Sequence, residues 1–375
     1  MEPLDLLVES GRRSLGAQPA PLAAPRDVWR ALPDAAERHG MTAWIHGAMR
    51  HGGDAPAEVR AAIEARARAQ HIRALQAVSQ LTVLVGSLRS AGIETVALKG
   101  PLLSTWLYGD LGMRRFADLD LLVEREQREH ALHVLTAIGY SLRGGISLAT
   151  ARIVYGGTAA WPLSHPDGFP VDLHWRAQAL GFAAPLTPAE VLRSSITAPA
   201  AGGDINVPCP THAAALGLLH AAKHLWTSLE LVLAIAHLMR RPDVDWTEVH
   251  RLTKNAGAWN ACAAGMALAA ELFDVMMPAV ARARTRSKSV APLVSAARSF
   301  LQMPDVAGAP LGAEFRTHCA SLDTLPGRAR YAAWRLFAPT PLEPAWWPLP
   351  DRLAPLYAPV RLIRLAIRRG VRLPH

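Results

Sequence analysis

Cysteine is scarce in this 375-residue chain: Cys209, Cys262 and Cys319 are far apart and odd in number. The paired spacing of a zinc site or a disulfide framework is therefore missing. Missing too is any uninterrupted run of eighteen apolar residues, the minimum for a membrane-spanning helix, although half of the residues are hydrophobic. The opening Met1-Glu2-Pro3-Leu4-Asp5 has no basic stretch leading into an apolar one, so a secretory signal is not expected. These absences point to a reducing, cytoplasmic setting. Aromatic residues make up 6% of the chain and do not interleave with basic ones, as they do in proteins that stack single-stranded nucleic acid.

What the chain has in excess is positive charge, a formal +9. Basic proteins can bind nucleic acid by counterion release, but without stacking aromatics this partner ranks behind others. The length allows two domains and a sizeable core. Residues 1–90 read as an N-terminal helical region, with Val59, Ile63 and Ala67, then Ile72, Leu75 and Val78, recurring at helical steps. Residues 91–200 hold strand-like motifs. Residues 201–285 read as helical again, opening at Pro210-Thr211. Residues 286–375 form a basic extension containing Pro and Trp, and a basic loop of Arg282, Arg284, Arg286 and Lys288 spans its start. Near its end Arg361, Arg364, Arg368 and Arg372 recur beside Leu362, Ile363, Leu365 and Ile367. This basic amphipathic pattern suits an anionic membrane surface, nucleic acid, an acidic protein partner, or plain docking with a solvated basic face.

The densest chemistry lies between Leu98 and Val123. Alternate side chains of a strand share a face, so Asp118 and Asp120 point the same way while Ala117, Leu119 and Leu121 point oppositely. Two close carboxylates repel, and a raised pKa or a bound cation resolves the conflict. Oxygen ligands favour Mg²⁺ or Mn²⁺. A third acid, Asp172, interrupts the apolar run Val171-Asp172-Leu173-His174-Trp175 after a turn-rich segment, Ser164 to Pro170, that reads as a hairpin. Three converging carboxylates can hold two Mg²⁺ ions roughly 4 Å apart for an in-line phosphoryl displacement.

Upstream, Glu94 to Leu98 is β-prone, and Pro101 suits the first turn of a helix through Leu107. Gly100 permits close approach of a phosphate to the helix start, and Lys99 adds a point charge. The same residues also suit an ordinary strand-to-helix turn.

The run Leu98-Lys99-Gly100, Leu107-Tyr108-Gly109-Asp110, Met113 through Val123, and Val171 through Trp175 resembles the uncharacterised nucleotidyltransferase family of bacteria. That family is a branch of the DNA polymerase β-like nucleotidyltransferase superfamily, and the resemblance covers roughly residues 30 to 260. It implies an α+β fold, a small mixed β-sheet core flanked by N-terminal and C-terminal helical regions. It further implies Asp118, Asp120 and Asp172 as catalytic metal ligands, with NTP as co-substrate. Lys99 and Gly100 fall at the turn that cradles the triphosphate. Pro101 stands where many members carry Ser or Gly, which leaves Ser104 as the substitute hydroxyl. Arg114 matches the Arg four residues before the first acid, either meeting the triphosphate or facing solvent.

His174 shares the face of Asp172, either orienting a carboxylate, contacting substrate or serving as a structural histidine; Trp175 is expected in the core. His220 and His224 stand one helical turn apart, as zinc ligands do, but Ala221-Ala222-Lys223 between them offers no Glu to serve as base. The resemblance instead implies histidine-bearing helices that close over the site, so both are candidates for substrate contact. No acid is seen in the helix that follows, where Leu233 to His237 stand. The expected activity is metal-dependent transfer of NMP from an NTP to a hydroxyl or phosphate acceptor, with a small molecule or peptide natural product as the implied class. The alternatives are a non-catalytic nucleotidyltransferase-fold protein that partners a biosynthetic enzyme or toxin, and a kinase-like transferase on the same site.

Overall fold

The computed structural model describes residues 1–18, 21–178, 181–184, 186–285, 287–303 and 311–370, without the side chains of 311 and 368–370. The fold is α+β: a small mixed sheet with helical flanks on both sides in sequence. Five short strands, β1 (Val96–Ala97), β2 (Leu119–Leu122), β3 (Ser141–Leu142), β4 (Ala160–Ser164) and β5 (Val171–His174), form one sheet in the order β1-β2-β5-β4-β3. The central pair β2 and β5 is parallel and every other pairing is antiparallel. β4 and β5 form the hairpin expected around Pro166-Asp167-Gly168. A separate ribbon pairs β6 (Ile196–Ala198) with β7 (Ile205–Val207).

The sheet separates two apolar cores because side chains alternate along its strands. Leu119, Leu121 and Val123 of the β2 segment, with Val171, Leu173 and Trp175 of the β5 segment, face one core. Trp175 is buried there against Trp161, ring centroids 4.9 Å apart. The other core is built chiefly from helices, and Val96, Leu98 and Leu122 reach into it from the sheet. Asp118, Asp120, Asp172 and His174 belong to this second face, where the strands and the helices leave a cleft between them.

The helix Ala57–Ser90 joins the two cores. At 34 residues it is about 50 Å long. Its first turns bury Val59 and Ile63 among the helices, and its last bury Leu81, Leu84 and Leu88 beneath the sheet. Ile72 and Leu75, which continue the apolar spacing in sequence, are instead about half exposed. The middle of this helix spans the cleft, so its inward side carries Arg66, Gln70 and Arg73.

The basic pattern at the carboxyl end also folds differently from its expected solvated face. In the helix Tyr357–Gly370, Arg361 donates to the Leu336 and Arg335 carbonyls, and Arg364 donates to Glu343, which is fully buried. Leu362, Ile363 and Ile367 are the exposed ones. A buried carboxylate needs paired cations more than the surface does. Arg372 and the side chain of Arg368 lie outside the described residues, as does Arg286. Arg282 and Arg284 stand on a short helix, Ala279–Thr285, where Arg284 donates to Asn260 Oδ1 at 2.8 Å.

His39 follows the helix Arg26–Arg38 and is only 1% exposed. Its carbonyl accepts the Glu230 amide at 3.0 Å and so anchors the helix Leu229–Met239. Burial first, then neighbouring Arg38, pushes its pKa from 6.5 down to about 4. The unfolded chain therefore binds a proton between pH 6.5 and 4 that the folded chain refuses, and folding stability is lost as pH falls through that window. Urea denaturation between pH 7 and 4.5 is expected to show this loss, and His39→Asn should flatten it by up to about 1.4 kcal/mol per pH unit.

Candidate active site

The cleft of about 980 Å³ between sheet and helices gathers nine of the ten residues singled out in the sequence. Lys99, Gly100 and Arg114, Asp118, Asp120 and Asp172, and His174, His220 and His224 all line it. Ser104 does not. It is fully buried, donating to the Asp110 carbonyl at 2.7 Å and accepting the Arg114 amide at 3.3 Å. Its hydroxyl braces the loop between the helix Pro101–Tyr108 and β2, which corrects its expected place beside a phosphate.

The floor is made by strand register. Asp120 on β2 lies directly opposite Asp172 on β5, and Asp118, in the bend just before β2, lines the same cleft. One donor atom from each of Asp120, Asp172 and His174 falls within 4.8 Å of the others. Asp118 lies outside this tight cluster, yet the charges of Asp120 and Asp172 reach it. Burial first, and then those two charges, raise the Asp118 pKa against the pull of Lys99 and His174.

Asp120 is the opposite case. Burial alone would raise its pKa, but Lys99 and His174 outweigh burial and hold the carboxyl well below the usual carboxylate range. Oδ1 faces Lys99 Nζ at 2.9 Å and His174 Nε2 at 2.8 Å. The other His174 nitrogen faces the Arg176 carbonyl at 3.2 Å, so the ring is clamped between two acceptors. Of the roles left open for His174, the geometry matches that of orienting a carboxylate. Lys99, expected to face a triphosphate, has turned onto Asp120 because a buried carboxylate needs a counter-charge.

Gly100 adopts φ +96°, a conformation that favours glycine, and Pro101 opens the helix immediately after it. Among the described residues no atom would meet a Cβ there, so the turn faces open space.

The far wall comes from the end of the helix Pro210–Lys223. His220 and His224 pack with their rings tilted and centroids 4.5 Å apart, and Lys223 lines the cleft between them in sequence. Burial, then Lys99, lowers His220; burial, Lys223 and Lys99 bring His224 down to about 4. Lys223 itself is lowered, by burial and then Lys99. A wall of neutral imidazoles and crowded ammoniums is poised to accept negative charge. Two consecutive left-handed residues, Leu225 at φ 55° and Trp226 at φ 51°, turn the chain sharply out of this helix. Both are buried, and packing holds the strain that fixes the end of the wall.

Arg114 neither faces solvent nor offers its guanidinium freely to the cleft. Nε donates to Glu230 Oε1 at 2.9 Å, and both side chains are nearly buried. Burial pushes the Glu230 carboxyl up and Arg114 opposes it. The helix Leu229–Met239 does carry an acid, therefore, in its first turn and upstream of the stretch where the sequence showed none. A Cβ at Gly40 would collide with this carboxylate, and φ +68° there also favours glycine. Lys223, Glu230, Arg66 and Arg73 escaped notice in the sequence. Lys223 lay in view between the two histidines, and Arg66 and Arg73 are two helical turns apart. Arg66 is held by Asp34 and Glu37, and Arg73 sits 4.5 Å over the Phe169 ring.

Removing one partner of a buried pair strands the other charge. Arg114→Leu is expected to cost about 3–5 kcal/mol in chemical denaturation, and adding Glu230→Leu should restore most of it. Additive losses in the double variant would contradict the pairing.

No curated protein and no solved structure matches the chain. A family model described as an uncharacterised nucleotidyltransferase matches residues 25–274, about two thirds of the chain and all of the cleft residues named above. The matched span begins within the N-terminal helices and ends after the helix Trp259–Phe273. The chain belongs to this uncharacterised nucleotidyltransferase family.

Proposed function

We propose that the protein transfers a nucleoside monophosphate from an NTP to a hydroxyl or phosphate acceptor, with a divalent cation held by Asp118, Asp120 and Asp172. The observation that carries this reading is the in-register Asp120 and Asp172 pair with Asp118 beside it, at the floor of a cleft lined by Lys99 and Lys223. The donor set fits such an ion: Asp120 and Asp172 bring carboxylate oxygens within 4.8 Å of each other, and Asp118 lines the same cleft. Oxygen donors favour Mg²⁺ or Mn²⁺.

When bound, the ion neutralises developing charge on the phosphates. The chain's own residues do the rest. Lys99, Lys223 and the Gly100 turn hold the triphosphate. Asp172, beside Asp120, takes the proton from the acceptor oxygen as that oxygen attacks the α-phosphorus; the bond to the bridging oxygen breaks, and pyrophosphate leaves. His174 keeps Asp120 in place, 2.8 Å away. The cleft volume is at the upper end of small-molecule sites and leaves room for an acceptor beside the nucleotide.

One observation favours a second reading, a non-catalytic member of the family that binds a partner: an ammonium already occupies the central acid. Product analysis separates the two. With Mg²⁺, an NTP and an extract of cellular small molecules, pyrophosphate and an NMP adduct are expected. Asp118→Asn and Asp120→Asn, folded by circular dichroism, should each lose at least about 100-fold in rate. Undiminished transfer by either variant contradicts the assignment, and release of NDP in place of pyrophosphate identifies a kinase-like transferase.

A further inference from the structure

We infer that Lys99 acts as a displaceable occupant of the cation position, keeping Asp120 from a divalent ion until an incoming triphosphate draws the lysine away. This inference rests on the nucleotidyl-transfer reading and adds to it an order of binding. Three observations support it. Lys99 Nζ and His174 Nε2 converge on one oxygen, Asp120 Oδ1, at 2.9 and 2.8 Å. That oxygen belongs to the most deeply buried of the three acids, 5% exposed, whereas the lysine side chain is 31% exposed. The lysine therefore approaches from the cleft side and has open space to retreat into, with the unobstructed Gly100 turn next to it.

Charge makes the arrangement exclusive. An ammonium and a dication sharing one carboxylate oxygen repel each other, and a buried setting strengthens that repulsion. The lysine leaves only if its charge is matched elsewhere, and a triphosphate at the cleft mouth supplies the match. Lys223 lines the same cleft and adds to the pull on the phosphates. Binding is then coupled: nucleotide raises cation affinity, and by reciprocity cation raises nucleotide affinity. A divalent ion is thereby kept from Asp120 until nucleotide arrives.

Titration of the full-length protein with Mn²⁺ alone, read by electron paramagnetic resonance, tests this without turnover. Lys99→Gln retains a hydrogen bond to Asp120 while losing the charge, Lys99→Met loses both, and Lys99→Arg keeps the charge. The expected result is Mn²⁺ binding at least about tenfold tighter in Lys99→Gln and Lys99→Met than in the wild type, within the usual range of such couplings, and unchanged in Lys99→Arg. Equal or weaker binding in a folded Lys99→Gln, with wild type binding Mn²⁺, overturns the inference and leaves the transfer reading standing. Absence of Mn²⁺ binding in every variant, with or without a non-hydrolysable ATP analogue, overturns both.

Discussion

Carboxylates placed side by side on neighbouring strands repel one another, and this repulsion organises the centre of the molecule. The parallel register of β2 and β5 sets Asp120 opposite Asp172, with Asp118 in the bend just before β2. Each acid meets the conflict differently. Asp120, the most buried, is held ionised by Lys99 and His174; Asp118 is left with a raised pKa. The backbone that carries Asp120 and Asp172 is fixed, because Leu119, Leu121 and Leu173 beside them are buried in the sheet core.

The walls depend on equally specific couplings. The helix Ala57–Ser90 is anchored in both cores and crosses the cleft between them, which exposes Ile72 and Leu75 and turns Arg66 and Arg73 inward. Arg114 and Glu230 tie the loop before β2 to the helix Leu229–Met239, and His39 anchors that helix from the N-terminal region. The left-handed turn at Leu225 and Trp226 fixes the end of the histidine-bearing helix. Ser104 belongs to this scaffold, holding the loop that carries Arg114.

What could be read from the sequence was local. Period-two alternation placed Asp118 and Asp120 on one face, and the turn residues before Asp172 announced its hairpin, because strand geometry acts over a few residues. The hairpin and the α+β class are present in the fold, and both acids line the cleft, although Asp118 stands in a bend before the strand. Long-range partners were not legible. Arg114 and Glu230 are separated by 116 residues, and nothing in either segment names the other. The turn of Lys99 onto Asp120 depends on burial, which spacing does not report. Arg361 and Arg364 looked like a solvated face for the same reason: only the packed structure reveals that Glu343 is buried beneath them.

On the proposed reading, the acids of the cleft floor hold the cation on which the triphosphate is bound. A crystal structure with Mn²⁺ and a non-hydrolysable NTP analogue, using the anomalous signal of manganese, tests it most directly. Manganese is expected at about 2.0–2.2 Å from carboxylate oxygens of Asp118, Asp120 or Asp172, with Lys99 withdrawn from Asp120 towards the phosphates. Manganese and nucleotide bound elsewhere, with Lys99 still on Asp120, would contradict it.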